Sequence, residues 1–220
     1  MTFKPQSVLH FSQNRYMPDI DHNRIVKAAA KAALQPIGCK QKGSSRTWLD
    51  PHSMWTGVIE FQPSSWAKGC YLNVGACWLW YEKDFLSFDD GYRVAQFQAV
   101  ESEESFIHAS ATLATQAHDE VLKLRSQFSS IEKIAAHLKD KDFSNIWQNY
   151  HAAVAATLAN DMPHATTRFC AVMQNKDNRS WALELKSRTA ILESISGDPI
   201  LFLRTIQEIV DRSKKRLKIA

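Results

Sequence analysis

The run Trp55-Thr56-Gly57-Val58-Ile59-Glu60-Phe61-Gln62 and the run Cys70-Tyr71-Leu72-Asn73-Val74-Gly75-Ala76-Cys77-Trp78-Leu79-Trp80-Tyr81 decide the fold. In the first, Trp55, Gly57, Ile59 and Phe61 alternate with Thr56, Val58, Glu60 and Gln62, the period of two that marks a half-buried strand. The second is the most apolar segment of the chain. Read as the central strand, it sends Cys70, Leu72, Val74, Ala76, Trp78 and Trp80 toward covering helices. Tyr71, Asn73, Gly75, Cys77, Leu79 and Tyr81 then take the opposite face. The connection over residues 63–69 is too short for a parallel crossover, so the two strands pair antiparallel. Residues 38–81 together hold five of the seven tryptophans, which makes this stretch the organising centre.

Upstream, residues 39–49 are strand-like but polar, with Gly43-Ser44-Ser45 as a bulge or slack point in an edge strand. Asp50-Pro51-His52-Ser53 is a turn. Before it, Asp19 or Asp21 caps a helix that runs to about Gln35, with Ile25, Ala29, Ala32 and Ala33 as its apolar stripe; Pro36 and Gly38 end it. Residues 1–18 read as an irregular arm carrying Phe3, Phe11 and Tyr16.

Downstream, residues 82–91 form a polar loop studded with Phe85, Leu86 and Phe88, a contact surface if exposed. Residues 92–100 alternate again as a fourth strand. The acids Glu101, Glu103 and Glu104 then favour the start of a long helix over residues 105–128. Its stripe is Phe106, Leu113, Ala117, Val121, Leu124 and Phe128, suited to covering a sheet face. Further helices follow: one over residues 131–138, one capped by Asp142 that includes Phe143, Ile146, Trp147, Tyr150, Val154 and Leu158, and one holding Ala165, Phe169, Val172 and Met173. A helix through Trp181, Leu185, Leu192 and Ile195 stops at Gly197-Asp198-Pro199, and a last one carries Leu203, Ile206, Val210 and Leu217. The expectation is an α+β fold: a three- or four-stranded antiparallel sheet, one preceding helix, a long covering helix and a C-terminal helical array. Residues 1–128 form the sheet domain and residues 129–220 a helical subdomain packed on it, with one continuous core.

The chain has 220 residues, enough to bury a core without metal or disulfide staples. Its formal net charge is +4, but Arg212, Lys214, Lys215, Arg216 and Lys218 all fall in the last nine residues. Such a tail touches phosphate or acidic surfaces, or simply suits the negative end of a helix dipole. Cys39, Cys70, Cys77 and Cys170 show no C-x-x-C pair and read as buried reduced thiols. Without a leader-like apolar core or a long apolar span, a cytoplasmic location is expected.

The string Leu34-Gln35-Pro36-Ile37-Gly38-Cys39-Lys40-Gln41-Lys42-Gly43, then Arg46-Thr47-Trp48, Ile59-Glu60-Phe61-Gln62-Pro63-Ser64 and Leu72-Asn73-Val74-Gly75, resembles the bacterial group known as domain of unknown function 4304. The group's pattern is a helix ending in Leu-x-Pro-x-Gly, a basic strand, a strand ending near Gln-x-Ser, and a strand reading Asn-x-Gly. Residues 210–219 are similar to its basic final helix. The resemblance covers the first hundred residues well and the rest loosely; Ser44-Ser45 departs from the pattern. It implies an α+β fold and carries over no catalytic residues and no cofactor.

No metal-ligand spacing, phosphate loop or nucleophile–base signature stands out. His108 and His118 project to different sides of one helix, and His151 borders an apolar stripe. His118-Asp119-Glu120 and the acids Asp84, Asp89 and Asp90 read as solvated. Arg188 lies within an apolar stripe and needs a partner such as Glu184. The polar set Glu60, Gln62, Asn73, Arg93, Gln96 and Gln98, joined by Tyr71, Tyr81 and Trp66, makes either a recognition surface or an ordinary solvated sheet face. The expected function is a non-catalytic bacterial protein-binding module of toxin-neutralising or defence-associated type, with another protein as partner. The alternatives are a nucleic-acid-binding accessory protein, using the basic tail with Lys40, Lys42 and Arg46, and a small-ligand enzyme. No cofactor is expected.

Overall fold

The two runs that alternate in the sequence pair antiparallel as β3 (Trp55–Pro63) and β4 (Gly69–Trp78) in the computed structural model, which describes residues 21–219. Trp55 stands opposite Trp78, Ile59 opposite Val74 and Phe61 opposite Leu72, so these buried side chains share one face. β5 (Asp90–Ala99) pairs with the other edge of β4, and β2 (Thr47–Pro51) with the other edge of β3. With β1 (Lys40–Gln41) beside β2, the sheet is a meander in the order β1-β2-β3-β4-β5. The expected arm over residues 1–18 and the alternative cap Asp19 lie outside the described residues.

The sheet holds five strands because residues 40–51 fold as a hairpin and not as one interrupted strand. Gly43 sits at φ +56 with open space where a Cβ would be, and Lys42 N–H donates to Thr47 O at 2.9 Å. The residues read as a bulge are therefore the turn itself. β4 also stops three residues early: β3 begins opposite Trp78 and offers no partner for Leu79, Trp80 and Tyr81. The Trp80 carbonyl instead accepts the Tyr150 hydroxyl at 3.0 Å. Gly75 and Gly91 face each other between β4 and β5, and a Cβ on Gly75 would lie 2.6 Å from Gly91 Cα. Only two glycines allow the strands to approach so closely.

Helix α1 (His22–Leu34) is capped by Asp21, whose Oδ1 accepts the Arg24 amide at 3.0 Å. It buries Ile25, Val26, Ala30 and Leu34; Ala29 and Ala33 flank that stripe, while Ala32 is exposed. α2 (Glu103–Gln127) starts at a capping box between Ser102 and Ser105, lies across β3, β4 and β5, and packs along α1. All six residues of its expected stripe are buried.

Five more helices complete the chain: α3 (Ile131–Lys139), α4 (Ile146–Leu158), α5 (Met162–Gln174), α6 (Ser180–Ile195) and α7 (Pro199–Leu217). α4 is capped by Asn145 and not Asp142, which leaves Phe143 outside the helix with the Arg168 guanidinium 3.4 Å above its ring. Rich in alanine, α4 is buried nearly all round and is the axis on which α3, α5 and α7 pack. One hydrophobic cluster runs from Ile25 to Ile219 and takes in sheet and helices alike. Trp78 and Trp80 stack at its centre, ring centroids 4.9 Å apart, with Phe128 edge-on to Trp78.

Candidate functional site

On the face of the sheet turned from α1 and α2, alternation places Glu60 and Gln62 of β3 beside Asn73 and Tyr71 of β4. Asn73 Nδ2 donates to Glu60 Oε2 at 3.2 Å and to Gln62 Oε1 at 2.9 Å. Arg93 of β5 continues the ladder, donating from Nε to Asn73 Oδ1 at 3.4 Å, and its guanidinium lies 4.0 Å over the Tyr71 ring. Phe97 tilts against the other side of Tyr71. Trp66, in the connection that follows the Gln62–Tyr71 rung, is 93% exposed.

Three of the residues expected in this set stand apart from it. Tyr81 has left the sheet and is buried edge-on to Trp147 and Tyr150 beneath Arg188. Gln98 falls opposite Cys70, on the helix-facing side, and Gln96 lies within a register shift of β5 without a partner on β4; the Gln98 Nε2 donates to the Gln96 carbonyl at 3.2 Å. Both stand an odd number of positions from Arg93, so alternation alone sets them on the opposite face and the expected set could not share one side of the sheet. The other end of the same face is covered, because residues 82–89 fold back over it. Leu86 and Phe88 line one pocket with Val58 and Thr47, and Ser87 Oγ lies 3.5 Å from Cys77 Sγ.

The basic tail is partly engaged within the molecule. Arg212 Nε and an Arg216 terminal nitrogen each lie 2.9 Å from a carboxylate oxygen of Glu82, and the Arg212 hydrogen bond holds that carboxyl below its usual range. Lys214 and Lys215 belong to the last turn of α7 and Lys218 caps it in the left-handed region. Arg46 is buried, bonding Asn23 Oδ1 at 2.6 Å and the Gly69 carbonyl, and so is withdrawn from any outer basic patch. Arg188 takes the expected partner, Glu184, at 2.5 Å, and also donates to the Glu82 carbonyl.

A second polar centre went unread in the sequence. Asp89 and Asp90 are not solvated loop acids. Asp89 Oδ2 accepts the Trp78 amide at 2.8 Å and Lys83 Nζ at 2.7 Å, while Asp90 meets His137 at 2.8 Å and Lys141 at 2.9 Å. His151, its side chain 3% exposed, accepts the Trp80 indole N–H on Nδ1 at 2.9 Å, so the neutral ring carries its proton on Nε2. Burial pushes His151 down to about 4. Burial presses Asp89 upward, yet His151 and Lys83 nearby and the Lys83 hydrogen bond bring it below the ordinary carboxylate range. Lys83 also bonds Ser87 Oγ. That pairing does not make a nucleophile, since Lys83 Nζ donates to the hydroxyl and to Asp89 and offers the hydroxyl proton no acceptor.

Among the described residues no group of three or more His, Cys, Asp or Glu side chains converges as metal ligands do, and no helix is long and apolar enough to cross a membrane. Cys39, Cys70 and Cys77 are buried, and burial raises the first two thiols to about 12 and about 11, which leaves them inert. Cys170 departs from expectation and is exposed on α5. Comparisons of the chain with protein-family models, with curated proteins and with solved structures gave no match in any of the three.

Proposed function

We propose that the protein is a non-catalytic binding protein whose partner is another protein, recognised through the open half of the sheet. The observation that carries this reading is Trp66, a 93% exposed indole in the loop that joins β3 to β4 at the end of the strand pair carrying Gln62 and Tyr71. Trp, Tyr and Arg are the side chains that dominate protein–protein binding energy, and a fully hydrated indole gains about 2 kcal/mol or more when a partner covers it. β5 adds to this. It is the last strand of the meander, ten residues long, and among the described residues no strand lies beyond it. An open edge of that kind accepts an extended segment by main-chain hydrogen bonds. The basic tail favours nucleic acid less, because Glu82 already holds two of its arginines.

The test is quantitative capture from an extract of the source cells on the immobilised protein, set against Trp66→Ala and Tyr71→Ala. A protein retained by the wild type and lost from both variants supports the reading. Retention that ignores both substitutions, or turnover in a broad substrate screen, overturns it.

A further inference from the structure

Between residues 82–89 and α4 lies a half-open cavity of about 340 Å³, lined by Lys83, Ser87, Asp89, Gln148 and His151 with Tyr81, Phe85, Phe88 and Trp147 around them. Its polar groups fall into two kinds. Lys83 gives two of its three N–H groups to Ser87 and Asp89, and Asp89 Oδ2 accepts from Lys83 and the Trp78 amide. Three other atoms keep capacity. Gln148 Oε1 is buried without a hydrogen-bond partner. Asp89 Oδ1 and His151 Nε2 face each other at 4.0 Å, beyond hydrogen-bonding distance. The Asp89–His151 gap thus sets an acceptor beside a donor, while Phe85 and Phe88 are 62% and 38% exposed.

The charge balance selects the ligand. Lys83 and Asp89 cancel, and His151 is neutral, so the lining carries no net charge. An anion would meet the Asp89 carboxylate, and a cation would meet the Lys83 ammonium. A neutral group that offers N–H and C=O together satisfies the set. In an amide edge those atoms lie roughly 2.3 Å apart by standard peptide dimensions, close enough for N–H to reach Asp89 Oδ1 while C=O takes the His151 proton. A further N–H would meet Gln148 Oε1. The phenyl rings of Phe85 and Phe88 suit a flat body behind that edge. A single water can also bridge the Asp89–His151 gap, but it occupies only a small share of such a space.

We propose that this cavity is a binding site for a small, neutral, planar lactam, the chemical class of the keto nucleobases, held at its amide edge by Asp89, His151 and Gln148. The site is independent of the protein-binding face, and neither stands on the other.

The experiment is titration of the full chain with uracil and hypoxanthine, followed by calorimetry and by tryptophan fluorescence. Benzoate and benzamidine serve as charged planar controls. Saturable binding of at least one lactam is expected, weaker or absent for the controls, and weakened about tenfold in Gln148→Met, which removes an acceptor that holds nothing in the free protein. Phe88→Ala is expected to weaken binding as well, and the circular dichroism of both variants should match the wild type. No binding of either lactam, controls that bind as tightly, or undiminished affinity in Gln148→Met would each overturn the proposal; the first of these leaves water as the only occupant.

Discussion

Acidification should destabilise this fold chiefly through one buried side chain. His151 is pushed from 6.5 to about 4 by burial, and the groups facing it are Asp89, Lys83 and Asp90. The unfolded chain takes up a proton as pH falls below 6.5, whereas the folded chain refuses it until about 4. The stability that a neutral His151 contributes is therefore intact above the unfolded value and is lost progressively between the two. A drop of this size is worth about 3 kcal/mol, most of it gone by about pH 4.5. The assay is urea unfolding followed by tryptophan fluorescence at about pH 7 and about pH 4.5, on the wild type and on His151→Asn. Asparagine keeps an acceptor near the Trp80 indole and cannot titrate. Comparing each protein's own change between the two pH values cancels most of the cost of the substitution and the other acid-sensitive pairs. The wild type should lose about 2 to 3 kcal/mol more than the variant. Equal losses would mean that the imidazole is already charged in the fold, and the reasoning about its tautomer and about the neutral cavity would be falsified.

Arg168 is fully buried and bonds Asn149 Oδ1 at 2.8 Å and the Lys139 and Lys141 carbonyls; Arg168→Met should cost about 3 kcal/mol in urea unfolding by leaving those acceptors unpaired. Asp50 holds Arg125 through two contacts of 2.9 and 2.6 Å, and Asp50→Asn should lower stability by about 2 kcal/mol, read as a lower urea midpoint. Gly75→Ala drives a methyl into Gly91 and should cost about 3 kcal/mol in the same assay, while Gly197→Ala, with nothing within 4 Å, should be neutral or slightly stabilising. Ser213 Oγ is buried without a partner, so Ser213→Ala should raise the thermal midpoint.

What the sequence made legible was what is local. The alternation of residues 55–62 and the stripe of α2 are periodic signals, and the structure places those side chains as the periods require. Gly43-Ser44-Ser45 was ambiguous, because glycine marks bulges and turns alike and only pairing partners tell them apart. The end of β4 was hidden, since Leu79-Trp80-Tyr81 continues the apolar run beyond the last residue that has a partner strand. The sheet-face ladder was found in its core members, Glu60, Gln62, Tyr71, Asn73 and Arg93, and missed at Gln96 and Gln98, which stand an odd number of positions from Arg93 and so do not share its face by alternation. The cavity was invisible for a different reason. Trp80 meets His151 across 71 positions of sequence, and no local pattern encodes that meeting. The available hint was Phe85, Leu86 and Phe88 in an otherwise polar loop: apolar side chains that fold the loop back carry its Lys and Asp inward with them.

Glu82 ties together parts of the chain that share no sheet or helix. Its carbonyl accepts Arg188 of α6, and its carboxylate receives Arg212 and Arg216 of α7, the former 130 positions away. The next residue is Lys83, on the wall of the cavity. Lifting the lip of the cavity would break these contacts, and so would fraying of the final helix. In hydrogen-exchange terms, the amides of residues 82–89 and those of the last turns of α7 belong to one opening unit, so occupancy of the cavity should slow exchange at the far end of the chain.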